Sequence, residues 1–353
     1  MNRFHGGDWA EFQRESGFLP LDFSANISPL GLPAGVKEAV LASLDSADRY
    51  PDPRCTELCT ALSAHYGIPA EAIVCGNGAA DLIFRLVFLL KPKKALVPVP
   101  TFTEYEHALS LSGCCIGHVF CREEDDFSLP EAVLGAVTPE TDLVFLCNPN
   151  NPTGRLIPAD LLARILHRCE ETDIVLVTDE CFMGFPEEAE KRSLLGRLSA
   201  CPHLVILRAF TKLYAMPGLR LGMALCGSTD LAEQLRSFGQ PWPVSVPAQA
   251  ASLAALQDNN YVNRVRAFLK EERPFLQKEL SELGLRVIPG EANFFLFFTE
   301  KKQLAAKLRE KGILIRDCSD FPGLCPGWYR IAVRTREENL LLLRALKEVL
   351  HGS

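Results

Sequence analysis

Alternating strand-length and helix-length segments between residues 72 and 226 limit the possible folds of this chain more than any other feature. Short apolar runs such as Ile174–Thr178 and Leu204–Leu207 have the length of buried strands. Helical patterns such as Ala79–Leu90 and Pro158–Glu170 lie between the runs. This alternation predicts an α/β fold, in which helices cover both faces of a mostly parallel sheet.

The pattern changes along the 353 residues, which predicts more than one structural unit. Residues 1–35 are rich in turn formers and predict an irregular arm that joins the smaller domain. Residues 36–245 contain the alternation and predict the large domain. After the segment PWPVSVP at Pro241–Pro247, a long helix and short strands such as Ile313–Ile315 predict a smaller α+β domain over residues 246–353.

Composition argues against several classes of function. The net charge of −7 disfavours a broad nucleic-acid surface, and no apolar run is long enough to span a bilayer. The N-terminus lacks the apolar region of a signal peptide. The 13 cysteines form no C-x-x-C or zinc-ligand pattern. We therefore expect a cytoplasmic protein with reduced thiols, no metal, and no membrane or nucleic-acid partner.

Polar and aromatic residues follow the ends of five predicted strands. They are Asn77, Phe102, Asn151, Asp179 and Lys212. The carboxyl ends of parallel strands gather at one edge of a sheet, so these residues are predicted to converge on one ligand. Gly78 and Ala79 begin a predicted helix, whose free N–H groups suit a phosphate, although a simple tight turn explains them equally well.

Lys212 gives this set a chemical interpretation. Lysine forms Schiff bases with carbonyl compounds when it is desolvated or lies near another cation. Arg220 could supply that cation and hold a phosphate. Around pyridoxal phosphate, Asp179 could pair with the protonated pyridine nitrogen, Asn151 could bond the ring oxygen, and Phe102 could stack on the ring. Taken singly, each residue also has a structural reading as a turn, a helix cap, a surface group or a core residue.

Two arginines of the predicted smaller domain are candidates for binding substrate. Arg316 occurs in ILIRDCSDF and Arg330 in YRIAVRT, each within or just after a predicted strand. They could bind a carboxylate or a phosphate, although a single arginine is more often solvated.

The segments NPNNPTG, VTDECF, FTKLYAMPGLRLG and RIAVRTREEN resemble the histidinol-phosphate aminotransferase group of fold-type I pyridoxal-phosphate enzymes. The resemblance covers nearly the whole chain. It implies the fold-type I transferase fold, with the cofactor attached to Lys212. It also implies that Asn77, Gly78, Ala79, Thr211 and Arg220 hold the cofactor's phosphate. Tyr50 of RYPDP would reach the neighbouring subunit's cofactor, which implies a homodimer with shared active sites.

Within this group the chain most resembles the threonine-phosphate decarboxylases of cobalamin biosynthesis. The segments that carry this likeness are HGG at His5–Gly7, DFSANISPLG, DECFMGF and GILIRDCSDFPGL. The resemblance implies conversion of O-phospho-L-threonine to (R)-1-amino-2-propanol phosphate and carbon dioxide. The substrate would be bound by His5, Asn26, Asn151, Arg316 and Arg330.

Two positions depart from related patterns. Phe182 stands where aminotransferases of the group usually have a tyrosine, which favours the decarboxylase reading. Ala209 stands where relatives often have a threonine, so one phosphate contact would be missing. The alternatives are an aminotransferase acting on histidinol phosphate or a related amino acid, and a cofactor-sensing regulator. The short, Gly- and Pro-rich N-terminus argues against the DNA-binding segment that a regulator would need.

Overall fold

A seven-stranded sheet is the central layer of the computed structural model, which describes residues 5–352. In chain order the strands are β1 (Leu21–Asp22), β2 (Ile73–Gly76), β3 (Lys94–Val99), β4 (Cys115–Phe120), β5 (Leu143–Cys147), β6 (Val175–Asp179), β7 (Leu204–Ala209), β8 (Gly222–Cys226), β9 (Arg286–Val287), β10 (Phe294–Phe298), β11 (Ile313–Leu314), β12 (Arg316–Asp317) and β13 (Trp328–Ala332).

Helices surround this sheet and a smaller one. In chain order they are α1 (Trp9–Ser16), α2 (Val36–Ser43), α3 (Thr56–Tyr66), α4 (Gly78–Leu90), α5 (Glu104–Leu111), α6 (Val133–Ala136), α7 (Ala159–Glu171), α8 (Ala189–Arg192), α9 (Phe210–Leu213), α10 (Thr229–Phe238), α11 (Val246–Gln257), α12 (Tyr261–Glu282), α13 (Leu304–Glu310) and α14 (Arg336–His351). Short 3₁₀ helices cover Leu44–Ser46, Ala70–Ala72, Glu123–Asp125 and Leu195–Ala200.

The large sheet has the strand order β2-β8-β7-β6-β5-β3-β4. Only β8 runs against its neighbours, and the other adjacent pairs are parallel. The prediction of a mostly parallel sheet is therefore confirmed. Asp179, at the end of β6, lies beside Cys147 of β5 and Leu207 of β7. Gly222, at the start of β8, lies between Gly76 and Ala209, so the ends of β2 and β7 reach the same edge.

Both faces of the large sheet are buried, because alternate residues of each strand enter different cores. On β5, Val144 and Leu146 pack into the core that includes α3, α7 and α11. Leu143 and Phe145 pack into the core that includes α4, α5 and α10. The two-sided burial explains why β5 is an unbroken apolar run and fixes the sheet edge that carries the polar residues.

A smaller antiparallel sheet has the order β12-β13-β10-β9. The helices α12 and α14 pack against each other near it, and α13 packs on α14. The last helix begins with a capping box, in which Thr335 and Glu338 satisfy each other's backbone N–H groups.

The prediction of an irregular arm is wrong for α1. The segment WAEFQRES forms a helix that buries Phe12 and ends at Gly17, whose φ of +81° suits glycine. Phe12 packs edge-on against Phe18, with ring centroids 5.2 Å apart. The flanking turn formers concealed this helical pattern. After α1, Leu21 of β1 pairs in parallel with Ile313 of β11, which ties the arm to the C-terminal part of the chain.

Two other expectations differ from the structure. The predicted strand Ile313–Ile315 is interrupted, because β11 pairs with β1 whereas β12 pairs with β13. The helix α10, which was not predicted, is capped by the side chain of Ser228. The domain boundaries after residues 35 and 245 stay predictions.

Among residues 5–352, no helix is long and apolar enough to cross a membrane, and no group of three or more His, Cys, Asp or Glu residues could hold a metal ion.

Candidate active site

A cavity of about 370 Å³ lies at the edge where the parallel strands end. Most of the predicted site residues line this cavity. They are His5, Asn26, Gly78, Ala79, Phe102, Asn151, Asp179, Thr211, Lys212, Arg220 and Arg330. The residues come from the arm, the large sheet and the C-terminal sheet, so the fold brings together groups that are far apart in sequence.

Lys212 lies in the short helix α9, directly after β7. Its carbonyl accepts a hydrogen bond from the backbone N–H of Ser28 at 2.9 Å, and its neighbours Phe210 and Leu213 are buried. Burial of the amine, with the positive charges of Arg330 and Arg220, lowers the pKa of Lys212 to about 8. A large share of this amine is neutral near that pH and can act as a nucleophile.

Asp179 is held by two hydrogen bonds. Its Oδ2 accepts from the hydroxyl of Tyr105 at 2.7 Å, and its Oδ1 accepts from the backbone N–H of Cys181 at 3.0 Å. Burial, and then the charge of Asp179, raises the pKa of Tyr105 well above its usual value, so the phenol stays a donor. The carboxylate at the end of β6 is therefore fixed in orientation.

Tyr105 is a site residue that sequence reasoning missed. Its ring stacks on Phe145 with centroids 4.9 Å apart and meets Phe102 edge-on at 5.6 Å. One residue therefore orients both the carboxylate of Asp179 and the ring of Phe102. The available signal was its position three residues after Phe102 in PTFTEY, near the predicted convergence of strand ends.

The start of α4 and Arg220 form a cradle in which residues 78 and 222 have no room for a side chain. A Cβ atom on Gly78 would lie 2.6 Å from Nη2 of Arg220, and one on Gly222 would lie 2.3 Å from the backbone N of Ala79. The free N–H groups of a helix start and a guanidinium both favour a phosphate. With Lys212 and Asp179 in the same cavity, this donor set fits pyridoxal phosphate.

Arg330 is a buried cation whose hydrogen-bond partners are neutral. It donates from Nη1 to Oδ1 of Asn151 and from Nη2 to the carbonyl of Ser24, the latter at 2.8 Å. Within residues 5–352, no carboxylate lies within ion-pair distance of it. Burial lowers the pKa of Arg330 to about 10, so it remains charged at neutral pH. A buried charge without a counter-ion is costly, and an anionic ligand would remove that cost.

Asn26 presents a second unsatisfied group to the cavity. The residue is 2% exposed, yet neither its Oδ1 nor its Nδ2 has a hydrogen-bond partner among the described residues. Buried amides are normally paired, so this side chain fits a polar ligand. His5, whose side chain is 43% exposed, lies at the same cavity beside Phe102.

Three predicted residues do not line the cavity. Asn77 precedes α4 and is exposed, and its backbone N–H donates to Asp81. Tyr50 is 77% exposed and stacks on Trp242, with centroids 4.0 Å apart. Arg316 lines a different pocket behind the arm, and the carboxylate of Asp320, four residues later in the chain, binds its guanidinium at 2.7 Å and 2.8 Å.

A larger cavity of about 670 Å³ lies next to the first and shares Cys181 and Ala209 with it. Its lining includes Arg208 and Glu180, which neutralise each other in an ion pair at 2.7 Å. The reactive lysine does not line it, so we assign the chemistry to the smaller cavity.

Comparisons with known proteins agree with this geometry. The family model described as aminotransferase class I and II matches residues 20–346. The threonine-phosphate decarboxylase of Salmonella typhimurium is 41% identical, over 100% of this chain and 98% of that protein. The adenosylcobalamin biosynthesis bifunctional protein CobDQ of Leptospira interrogans is 32% identical, over 99% of this chain and 41% of that protein.

A similar solved structure is the histidinol-phosphate aminotransferase of Sinorhizobium meliloti in complex with pyridoxal-5'-phosphate. It is 25% identical, with a TM-score of 0.89, and the match covers 99% of this chain and 95% of that one.

Proposed function

This chain belongs to the aminotransferase class I and II family, and we propose that it decarboxylates O-phospho-L-threonine. The products are (R)-1-amino-2-propanol phosphate and carbon dioxide, as a step of cobalamin biosynthesis. The cofactor is pyridoxal phosphate. One observation carries the proposal. Within residues 5–352, the amide of Asn26 has no hydrogen-bond partner and Arg330 has no anionic partner, and both line the cavity together with His5 of the arm. The site therefore has groups for a second phosphate and for a carboxylate.

The residues that would hold the cofactor follow from the cavity. Arg220, Thr211 and the start of α4 would bind its phosphate, Asp179 its pyridine nitrogen and Asn151 its ring hydroxyl. Lys212 would attach to its aldehyde. Bound pyridoxal phosphate supplies an electron sink for the bond that breaks at Cα. Tyr105 keeps Asp179 oriented, since it donates to Oδ2 of that carboxylate.

The substrate's two anionic groups would be held at different parts of the cavity. Arg330, with Asn151 beside it, would bind the carboxylate, because bidentate guanidinium–carboxylate pairs are strong and directional. His5 and Asn26 would bind the phosphate. Holding both ends of the substrate fixes which bond at Cα is exposed to cleavage.

Lys212 is the proposed proton donor. The bond between Cα and the carboxyl carbon breaks, carbon dioxide leaves, and one proton takes its place at Cα. A lysine with a pKa of about 8 can give up this proton near neutral pH and recover it from solvent. The balanced reaction consumes one proton and needs no keto acid.

The alternative is an aminotransferase of the histidinol-phosphate type, which the solved relative supports. Phe182 favours decarboxylation, because it has no hydroxyl to offer the cofactor ring. Its ring instead packs edge-on against Phe294, with centroids 5.1 Å apart.

Product analysis tests the proposal. The holoenzyme is incubated with O-phospho-L-threonine, and separately with histidinol phosphate and 2-oxoglutarate. We expect carbon dioxide and an amino-alcohol phosphate from the first mixture without any keto acid. Glutamate from the second mixture, with no carbon dioxide from the first, would establish the aminotransferase instead.

We also propose a homodimer in the cytoplasm, with Tyr50 contributing to the partner's site. The support is that Tyr50 and Trp242 form an exposed aromatic stack. Large exposed aromatics often mark a protein interface.

A further inference from the structure

The arm contacts the large domain at the cavity through His5 and Glu104. Nε2 of His5 lies 2.9 Å from Oε1 of Glu104, and both residues line the cavity. The imidazole also lies against Phe102, with ring centroids 5.9 Å apart and planes inclined by 54°. The position of the imidazole is therefore set by two residues that are close together in the large domain.

Glu104 is the fixed member of the pair. Its side chain is 12% exposed, compared with 43% for His5. It is the first residue of α5, where the helix dipole favours a negative charge. The next residue, Tyr105, is fully buried and bonded to Asp179, so the start of α5 is anchored to the large sheet. His5 belongs to the arm and receives its orientation from this contact.

The cations of the cavity have other tasks under the proposed function. Arg220 faces the cofactor's phosphate, Arg330 faces the substrate's carboxylate, and Lys212 is the reactive amine. Arg316 lies behind the arm and is bound to Asp320. Recognition of the substrate's phosphate therefore depends on the arm, through His5 and through Asn26, whose amide has no partner in the described part of the chain.

We propose that Glu104 is a positioning residue for the substrate's phosphate. It holds Nε2 of His5, so that Nδ1 of the same ring can donate to the phosphate. A protonated imidazole has two N–H donors, and the partner of one nitrogen determines where the other is directed. This inference rests on the proposed function, because it assumes an O-phosphorylated amine as the substrate.

Equilibrium binding to the holoenzyme tests the role of Glu104 without requiring turnover. O-phosphoethanolamine has the phosphate and no carboxylate, whereas L-threonine has the carboxylate and no phosphate. Binding is followed by the change in the cofactor's visible absorbance. We expect Glu104→Gln to weaken the binding of O-phosphoethanolamine about 10-fold, as when the hydrogen bond from His5 to the phosphate is lost. The affinity for L-threonine should stay within about 2-fold of the wild type.

Two further variants separate positioning from general damage. His5→Gln should cause the same selective loss of affinity for O-phosphoethanolamine. The double variant should lose no more affinity than either single variant, because both residues act through one contact. Glu106→Gln is the matched control. Glu106 lies on the same helix with its Oε1 2.8 Å from Nε2 of His118, and neither residue lines the cavity. This control should bind both probes like the wild type.

An equal loss of affinity for both probes in Glu104→Gln would overturn the proposal, as would additive losses of affinity in the double variant. Failure of the proposed function is a separate result. If the wild type releases no carbon dioxide from O-phospho-L-threonine, the decarboxylase assignment fails, while the two probes still decide whether Glu104 orients a phosphate-binding histidine.

Discussion

At the scale of single residues, Lys212 shows how the fold prepares a common side chain for chemistry. The cavity desolvates the amine, and Arg330 and Arg220 add positive charge, so all three effects favour the neutral form. The structure thus lowers the pKa of Lys212 from 10.5 to about 8. A nucleophilic amine needs this shift, because the ammonium form has no free electron pair.

This shift predicts how the apoenzyme captures pyridoxal phosphate. The neutral fraction of Lys212 increases as the pH rises through about 8 and is nearly complete above it. The rate of covalent attachment should therefore rise with a midpoint near pH 8 and then level off. Stopped-flow absorbance gives the rate, and borohydride reduction followed by peptide mass analysis confirms the attachment site.

Substitutions test whether the neighbouring positive charges lower the pKa of Lys212. Arg330→Gln removes a positive charge, so its midpoint should move to higher pH, while burial keeps it below 10.5. Lys212→Ala should show no covalent attachment at any pH and no turnover. A wild-type midpoint near 10, or undiminished activity of Lys212→Ala, would contradict the assignment.

The site residues that could be predicted from the sequence are those placed by strand ends, whereas the residues that were missed depend on contacts with distant parts of the chain. Lys212 and Asp179 follow apolar strands, and the parallel topology brings such positions together without further information. In contrast, Tyr105 contacts the carboxylate of Asp179, which is 74 positions away, and Glu104 contacts the imidazole of His5, which is 99 positions away. Arg316 has a suitable side chain, but Asp320 binds it in the structure. Local patterns contain no record of which distant partner a side chain will meet.

At the scale of elements, the contact between α4 and β8 determines the shape of the phosphate cradle. Gly222 begins β8 directly beneath the start of α4, where a Cβ would lie 2.3 Å from N and 2.9 Å from Cα of Ala79. These are backbone atoms, which cannot move aside as the end of a side chain can. The helix start can stay beside Arg220 only if residue 222 has no side chain.

Gly222→Ala should therefore displace the start of α4. We expect the free energy of unfolding to fall by about 1–3 kcal/mol, as for other overpacked sites, and the affinity for pyridoxal phosphate to fall at least about 10-fold. Thermal unfolding of the apoenzyme and titration with the cofactor measure the two effects.

Gly135→Ala is the matched control, because a Cβ at Gly135 in α6 would have no neighbour within 4 Å. Alanine has the higher helix propensity, so this variant should be as stable as the wild type or slightly more stable. Equal behaviour of the two variants would show that close packing at Gly222 is unimportant.

Elements were predicted best where long apolar patterns determine them. The strands β5 and β6 and the helix α7 are flanked by turn residues and buried in continuous cores, so their pattern is strong. The strands β11 and β12 are two residues each and belong to different sheets. Their separation depends on pairing with β1 and β13, which no local pattern encodes. The helix α1 was missed because its eight residues lie between segments rich in turn formers, which concealed its pattern.

At the scale of the whole molecule, exposed apolar residues indicate where a second subunit would bind. Tyr50 and Trp242 are 77% and 41% exposed although they stack on each other. Leu41 of α2 and Leu44 after it are also exposed, and α2 packs along α11. A surface of this kind commonly becomes the core of an interface. The chain's own cavity does not contain Tyr50, which is consistent with the proposal that Tyr50 serves the partner.

Mixing two inactive variants tests this sharing of sites. Tyr50→Ala lacks the residue given to the partner, and Lys212→Ala lacks the reactive amine of its own site. In a mixed two-fold dimer, the Lys212 of one chain meets the Tyr50 of the other, so one of the two sites is complete. Random subunit exchange should restore about a quarter of wild-type activity, because half of the dimers are mixed and each has one intact site. Activity is measured at limiting pyridoxal phosphate, after exchange has been verified with differently tagged subunits. Exchange without recovery, from two inactive parents, would mean that Tyr50 acts within its own chain or only in folding.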